Sequence, residues 1–209
     1  MANLSYKINQ KTRNLVMLAM FSAILLLMGF TPIGFIKTGA IEITLMVIPV
    51  AIGAIMTGPL GGAILGGLFG LISFAQCFGM SAFGALILNI NPVLTFILCF
   101  FPRLLTGFLV GVIYRALSKK MNKKPVLPVT ISAISCALLN TVTFISLFIP
   151  LFAKNQTILD VFGAANAMGI ITALLSLNAL IEVVVTAVVG SAVAFALIKF
   201  LPKPLPNDK

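Results

Sequence analysis

Six long apolar stretches occupy most of this chain, at residues 15–33, 43–57, 60–76, 92–117, 127–151 and 168–200. The hydrocarbon core of a bilayer is about 30 Å thick, which takes about 20 apolar residues per helix. Inside it every backbone N–H and C=O must find its partner within the protein, so runs of this length are expected to be helices. Composition closes off the soluble alternative. The chain is 60% hydrophobic and 9% charged, whereas a soluble domain carries about 25% charged residues. Fourteen basic and four acidic side chains do not cover the surface of a soluble protein of 209 residues. The expectation is an all-α membrane protein, one integral-membrane domain over residues 1–209 with six transmembrane helices. The second and third stretches are short and turn on Gly58-Pro59; the sixth is long enough to tilt strongly or break.

The formal charge of +10 would suggest a nucleic-acid partner in a soluble protein. In a membrane protein it orients the loops, and no nucleic acid is expected. With the N-terminus in the cytoplasm, the inner segments hold Lys7, Lys11 and Arg13, then Arg115, Lys119, Lys120, Lys123 and Lys124, then Lys199, Lys203 and Lys209. The outer segments hold only Lys37 and Lys154, and Arg103 lies within a span. This asymmetry places both termini in the cytoplasm and requires an even number of spans. The cluster at 119–124 has that topological role first, with docking onto a partner or anionic membrane lipid second. The polar stretch before residue 15 lacks the layout of a cleavable signal, because the apolar run after it continues into further spans.

Chemistry is sparse. Histidine is absent, and Cys77, Cys99 and Cys136 have no C-x-x-C spacing, so they read as small packing residues rather than a disulfide or metal site. There are no paired intramembrane aspartates, no H-E-x-x-H, no G-x-S-x-G and no phosphate-binding loop ending in lysine. An enzyme is therefore not expected, and no cofactor is expected in this chain.

Two ionisable groups lie at membrane depth, Arg103 and Glu182, eleven residues beyond Pro92 and fourteen beyond Met168. At about 1.5 Å per residue both fall within the hydrocarbon, at similar depth. Such groups default to functional hypotheses. Two readings stand open: an ion pair tying two helices together, or an Arg103 that meets an anionic ligand group with its planar fork. Amides form a second polar set: Gln76, Asn89, Asn91, Asn140, Asn166 and Asn178. Each could glue helices, but their convergence toward the outer half suggests a pocket for a small polar molecule. The candidate binding residues are Gln76, Asn89, Asn91, Arg103, Asn140, Asn178 and Glu182. The outer segments at 35–41 and 78–84 are placed to close over them.

Small residues mark two faces. Gly62-x-x-x-Gly66-x-x-x-Gly70 aligns three glycines on one side of a helix. That allows either tight packing of the hairpin of spans two and three, or a sliding or ligand-contacting surface. Ala19-x-x-x-Ala23 makes a smaller flat face in the first span.

The chain resembles the substrate-binding S components of energy-coupling factor transporters, the vitamin-uptake systems of bacteria and archaea. The stretches that carry the resemblance are Pro32-Ile-Gly-Phe-Ile36, the hairpin from Ile48 to Pro59 with its glycine-rich continuation, Asn91-Pro92, and Pro102-Arg103 followed by Gly107. It implies six helices, both termini cytoplasmic in a prokaryotic plasma membrane, and a high-affinity vitamin site near the outer face. It also implies a transmembrane T component and two ATPase subunits, which use ATP and magnesium in its place. Ala19 and Ala23 match the small-residue motif that docks on the T component. The chain is most similar to the pantothenate-type members, which fits a carboxylate at Arg103. Riboflavin, pyridoxine and folate are the other vitamins the resemblance allows, and the lack of tryptophan disfavours flat flavin and pterin rings. An autonomous ion-coupled secondary transporter and an intramembrane enzyme are the readings from other classes.

Overall fold

A computed structural model describes residues 10–31, 35–38, 41–121, 126–153 and 155–162, with isolated helical positions at 184, 186, 188 and 192. Seven helices follow in order among these residues: α1 (Gln10–Gly29), α2 (Val47–Thr57), α3 (Pro59–Gln76), α4 (Ala82–Ile90), α5 (Pro92–Lys120), α6 (Val126–Phe152) and α7 (Gln156–Phe162). Between α1 and α2 the chain makes an antiparallel two-stranded ribbon, β1 (Phe35–Thr38) and β2 (Ile41–Thr44), whose register sets Lys37 opposite Glu42. This ribbon is the departure from an all-helical chain. It occupies the segment expected as a short outer loop and the first residues of the stretch at 43–57.

Helices α1, α3, α5 and α6 are each long and apolar enough to cross a membrane, and α2 is a shorter apolar helix. At about 1.5 Å per residue, the eleven residues of α2 reach about 16 Å, near half of a hydrocarbon core. Large apolar side chains stay exposed along all four long helices, among them Leu15 and Leu27 on α1, Leu60 and Ile64 on α3, Val93 on α5 and Val142 on α6. A surface this apolar has water as its worst solvent and lipid or another apolar helix as its natural one. The sixth apolar stretch, 168–200, lies outside the described residues apart from the isolated helical positions, one of which, Thr186, is buried.

Local chemistry explains the breaks. Gly58 closes α2 with a φ of 84°, a conformation that L side chains rarely adopt, and Pro59 opens α3 at a position where its missing N–H costs nothing. The Arg115 guanidinium lies against Gly58, where even a Cβ would meet its Nη2 at 2.6 Å. Ser81 caps α4 by accepting from the Gly84 N–H at 3.0 Å. Asn91 caps α5, its Oδ1 accepting from the N–H groups of Val93 at 3.0 Å and Leu94 at 3.1 Å, with Pro92 in the first helical position.

The main core joins α1, α2, α3, α5 and α6 around Phe21, Leu25, Val50, Leu65, Phe69, Val110 and Cys136. A smaller core joins α4, α6 and α7 to the first turns of α5 through Ile87, Leu98, Phe148, Phe152 and Ile158. Helices α3 and α5 approach backbone to backbone. A Cβ on Gly62 would fall on the Gly107 carbonyl oxygen, one on Gly66 on the Arg103 carbonyl oxygen, and one on Gly70 would meet the Phe100 Cα at 2.8 Å. The three-glycine face of α3 thus meets the backbone of α5, so it serves more than the α2–α3 hairpin. It brings the backbone of Arg103 to a fixed place beside α3.

Candidate ligand site

Arg103 stands where α2, α3, α5 and α6 converge. A small, tightly packed pocket is lined there by Val47 and Val50 of α2, Phe69 of α3, Arg103 and Thr106 of α5, and Cys136 and Asn140 of α6. As packed here it leaves no room for a water molecule, so the polar end of a ligand enters only where these side chains part.

Phe144, Phe69 and the Leu98 carbonyl lie against the guanidinium. Its Cζ lies 4.9 Å from the ring centroid of Phe144 and 5.6 Å from that of Phe69. Its Nη1 donates to the Leu98 carbonyl at 2.8 Å. That carbonyl is available for a local reason. Pro102 sits inside α5 and has no N–H, so the helical bond from residue 102 back to residue 98 is missing. The arginine that follows the proline folds back and supplies the donor. A cation over ring faces, with a carbonyl at its edge, is stabilised by the ring quadrupoles and by the carbonyl dipole.

Beside it runs a short polar strip. Thr106 and Asn140 are 2% and 6% exposed, so their polar atoms have left both water and lipid. The Thr106 and Thr143 hydroxyls lie 3.2 Å apart, and Thr143 reaches the Leu139 carbonyl at 2.6 Å. A hydroxyl has one proton, so Thr143 donates to the carbonyl and Thr106 donates to Thr143.

Of the residues expected from the sequence, the structure brings Arg103 and Asn140 together on this cavity. Gln76 is buried with its Nε2 donating to the Gly29 carbonyl at 2.5 Å, which joins the end of α3 to the end of α1. Asn89 is exposed on α4, and the side-chain oxygen of Asn91 is occupied as the α5 cap. Asn166, Asn178 and Glu182 lie outside the described residues. Ala19 and Ala23 are both exposed on α1, between the exposed Leu15, Val16, Met20 and Leu27. Cys77, Cys99 and Cys136 are buried thiols, with the sulfurs of Cys77 and Cys99 3.9 Å apart.

Thr106, Thr143, Phe69 and Phe144 were not anticipated. One signal for the threonines was present: Arg103 and Thr106, like Asn140 and Thr143, are three residues apart, which sets each polar pair on one helix face. Nothing in the sequence distinguishes Phe69 and Phe144 among 17 phenylalanines.

Comparison with known proteins adds two findings. Residues 13–200 match the family model described as ECF transporter, substrate-specific component. The chain is also 29% identical over 198 residues, 91% of its length and 94% of the relative's, to the pantothenate transporter PanT of Leuconostoc mesenteroides subsp. mesenteroides.

Proposed function

Since this chain belongs to the substrate-specific components of ECF transporters, and so to a transport system rather than to the enzymes, we propose that it is the high-affinity binding subunit of an ATP-driven importer of pantothenate. The observation that carries the ligand reading is the Arg103 guanidinium, set against two phenyl rings on the wall of the cavity. In a low-dielectric setting such a cation is matched best by a planar anion that takes two parallel N–H bonds. Pantothenate has one carboxylate, and its amide and hydroxyls are suited to Asn140 and Thr106 nearby. The relative named as a pantothenate transporter supports the same ligand. Asn178 and Glu182, and the outer amides Gln76, Asn89 and Asn91, remain proposed contributors to the site or its surroundings.

The topology that goes with this reading has six spans: the four long helices, the short α2, and the stretch at 168–200. Both termini are cytoplasmic in the plasma membrane of a prokaryote, a reading supported by the eleven basic residues on the inner segments against Lys37 and Lys154 outside. The chain holds no nucleotide-binding motif, so ATP and magnesium are used by partners: a transmembrane T component and two ATPase subunits. The exposed Ala19 and Ala23 offer α1 as the face on which the T component packs.

The test is binding of pantothenate to the purified chain by calorimetry, followed by uptake in liposomes with and without the partner subunits. Tight binding by the chain alone, with uptake only in the complex and only with ATP, is expected. Uptake by the chain alone under an ion gradient would make it a secondary transporter instead. Tight binding of riboflavin, pyridoxine or folate in place of pantothenate would reassign the cargo.

A further inference from the structure

We propose that Pro102 and Phe144 are positioning residues for ligand recognition, acting through Arg103. This inference rests on the reading of Arg103 as the carboxylate-binding group. An arginine side chain has many rotamers and loses entropy on being fixed. Here the guanidinium is restrained before any ligand arrives. Phe144 from α6 and Phe69 from α3 lie 4.9 Å and 5.6 Å from Cζ. The Leu98 carbonyl takes Nη1 at 2.8 Å, because Pro102 removes the backbone donor that would otherwise hold it.

Each restraint has a separate origin in the fold. Pro102 is buried in α5, and it creates the acceptor one turn back from its neighbour. Phe144 is held in its turn by stacking on Phe148 at 5.7 Å, which stacks on Phe152 at 5.6 Å, a ladder of rings four residues apart on α6. Phe83 of α4 lies 5.7 Å from Phe148 and steadies the ladder from the side. The carbonyl fixes the edge of the guanidinium and the rings bound its surroundings, so its remaining orientation is chosen in advance. Preorganisation of this kind raises affinity by lowering the ordering cost of binding, and it favours the group that matches the fixed geometry.

The measurement is the ratio of affinities for pantothenate and its neutral alcohol analogue, panthenol, in purified wild-type protein and variants, with thermal unfolding recorded beside it. Pro102→Ala restores a backbone N–H to compete for the Leu98 carbonyl, so its unfolding temperature is expected to stay level or rise while the ratio falls about three- to tenfold. A purely structural proline would not separate the two readouts in that direction. Phe144→Leu is expected to lower the ratio by a similar factor and Phe144→Tyr to retain it, since only the tyrosine keeps a ring face. If Phe144→Leu does not fold, mono-, di- and trifluorinated phenylalanine at position 144 weaken the ring face stepwise at nearly constant shape, and the ratio is expected to fall with each step. A wild-type ratio in folded Pro102→Ala, or in folded Phe144→Leu or throughout the fluorinated series, overturns the inference while leaving the pantothenate reading intact. Wild-type protein that does not prefer pantothenate over panthenol overturns both.

Discussion

Gly62 and Gly107 exclude side chains from each other's position: a Cβ built on either would fall on the carbonyl oxygen of the other. Helices α3 and α5 therefore touch backbone to backbone at this level. Overpacking at such a contact costs about 1–3 kcal/mol. Gly62→Ala and Gly107→Ala are each expected to lower the unfolding temperature in detergent. Gly67→Ala supplies the control, because its Cβ would meet only the Phe100 and Leu104 side chains at ordinary separations of 3.6 Å and more. Equal effects at Gly62 and Gly67 would refute the backbone contact.

Asn91 is expected to act on stability through its cap. Losing an N-cap costs about 0.5–2 kcal/mol, so Asn91→Ala should destabilise the chain, while Asn91→Asp should preserve the cap and most of the stability. Affinity measured on the same variants separates the cap from any direct part in binding. An Asn91→Asp protein as unstable as Asn91→Ala would show that the side-chain oxygen is not what matters.

The Thr106–Thr143 hydrogen bond crosses from α5 to α6 beside the cavity. Side-chain hydrogen bonds between membrane helices are worth about 0.6 kcal/mol on average. A double-mutant cycle with Thr106→Val and Thr143→Val should return a coupling of that order. Zero coupling would mean that the two hydroxyls are neighbours without being partners.

Ala19→Trp and Ala23→Trp add bulk to an exposed face of α1. Neither is expected to change pantothenate binding or unfolding of the isolated chain, and both should abolish uptake by the assembled transporter if the T component packs there. Normal uptake with tryptophan at both positions would place the docking face elsewhere.

Much of the helical layout was legible in the sequence, because helix boundaries here depend on neighbours in the chain. Gly58-Pro59 marks the α2–α3 break, and Asn91-Pro92 carries both the cap and the first-turn proline of α5. The ribbon at 35–44 and the nine-residue α4 were not foreseen, since stretches that short lack enough turns to show a period. For the site, Arg103 and Asn140 stood out as polar groups in apolar runs. Their surroundings did not, because Phe69 and Phe144 come from other helices. Likewise, the face of Gly62, Gly66 and Gly70 was evident, but its contact with the α5 backbone was not, because it joins helices well apart in the chain. Gln76 and Asn91, expected among the binding amides, make bonds in the structure that hold helix ends.

The bare seam between α3 and α5 has a consequence for how this scaffold diverges. An interface made of backbone has no vocabulary of side chains to vary, and any step away from glycine is a loss. Relatives that carry a different cargo are therefore expected to write the difference on α6, at the positions of Cys136, Asn140, Thr143 and Phe144, while retaining the glycines of α3. A saturation library selected for a new ligand would make the contrast visible as accepted changes on α6 and silence along the α3–α5 seam.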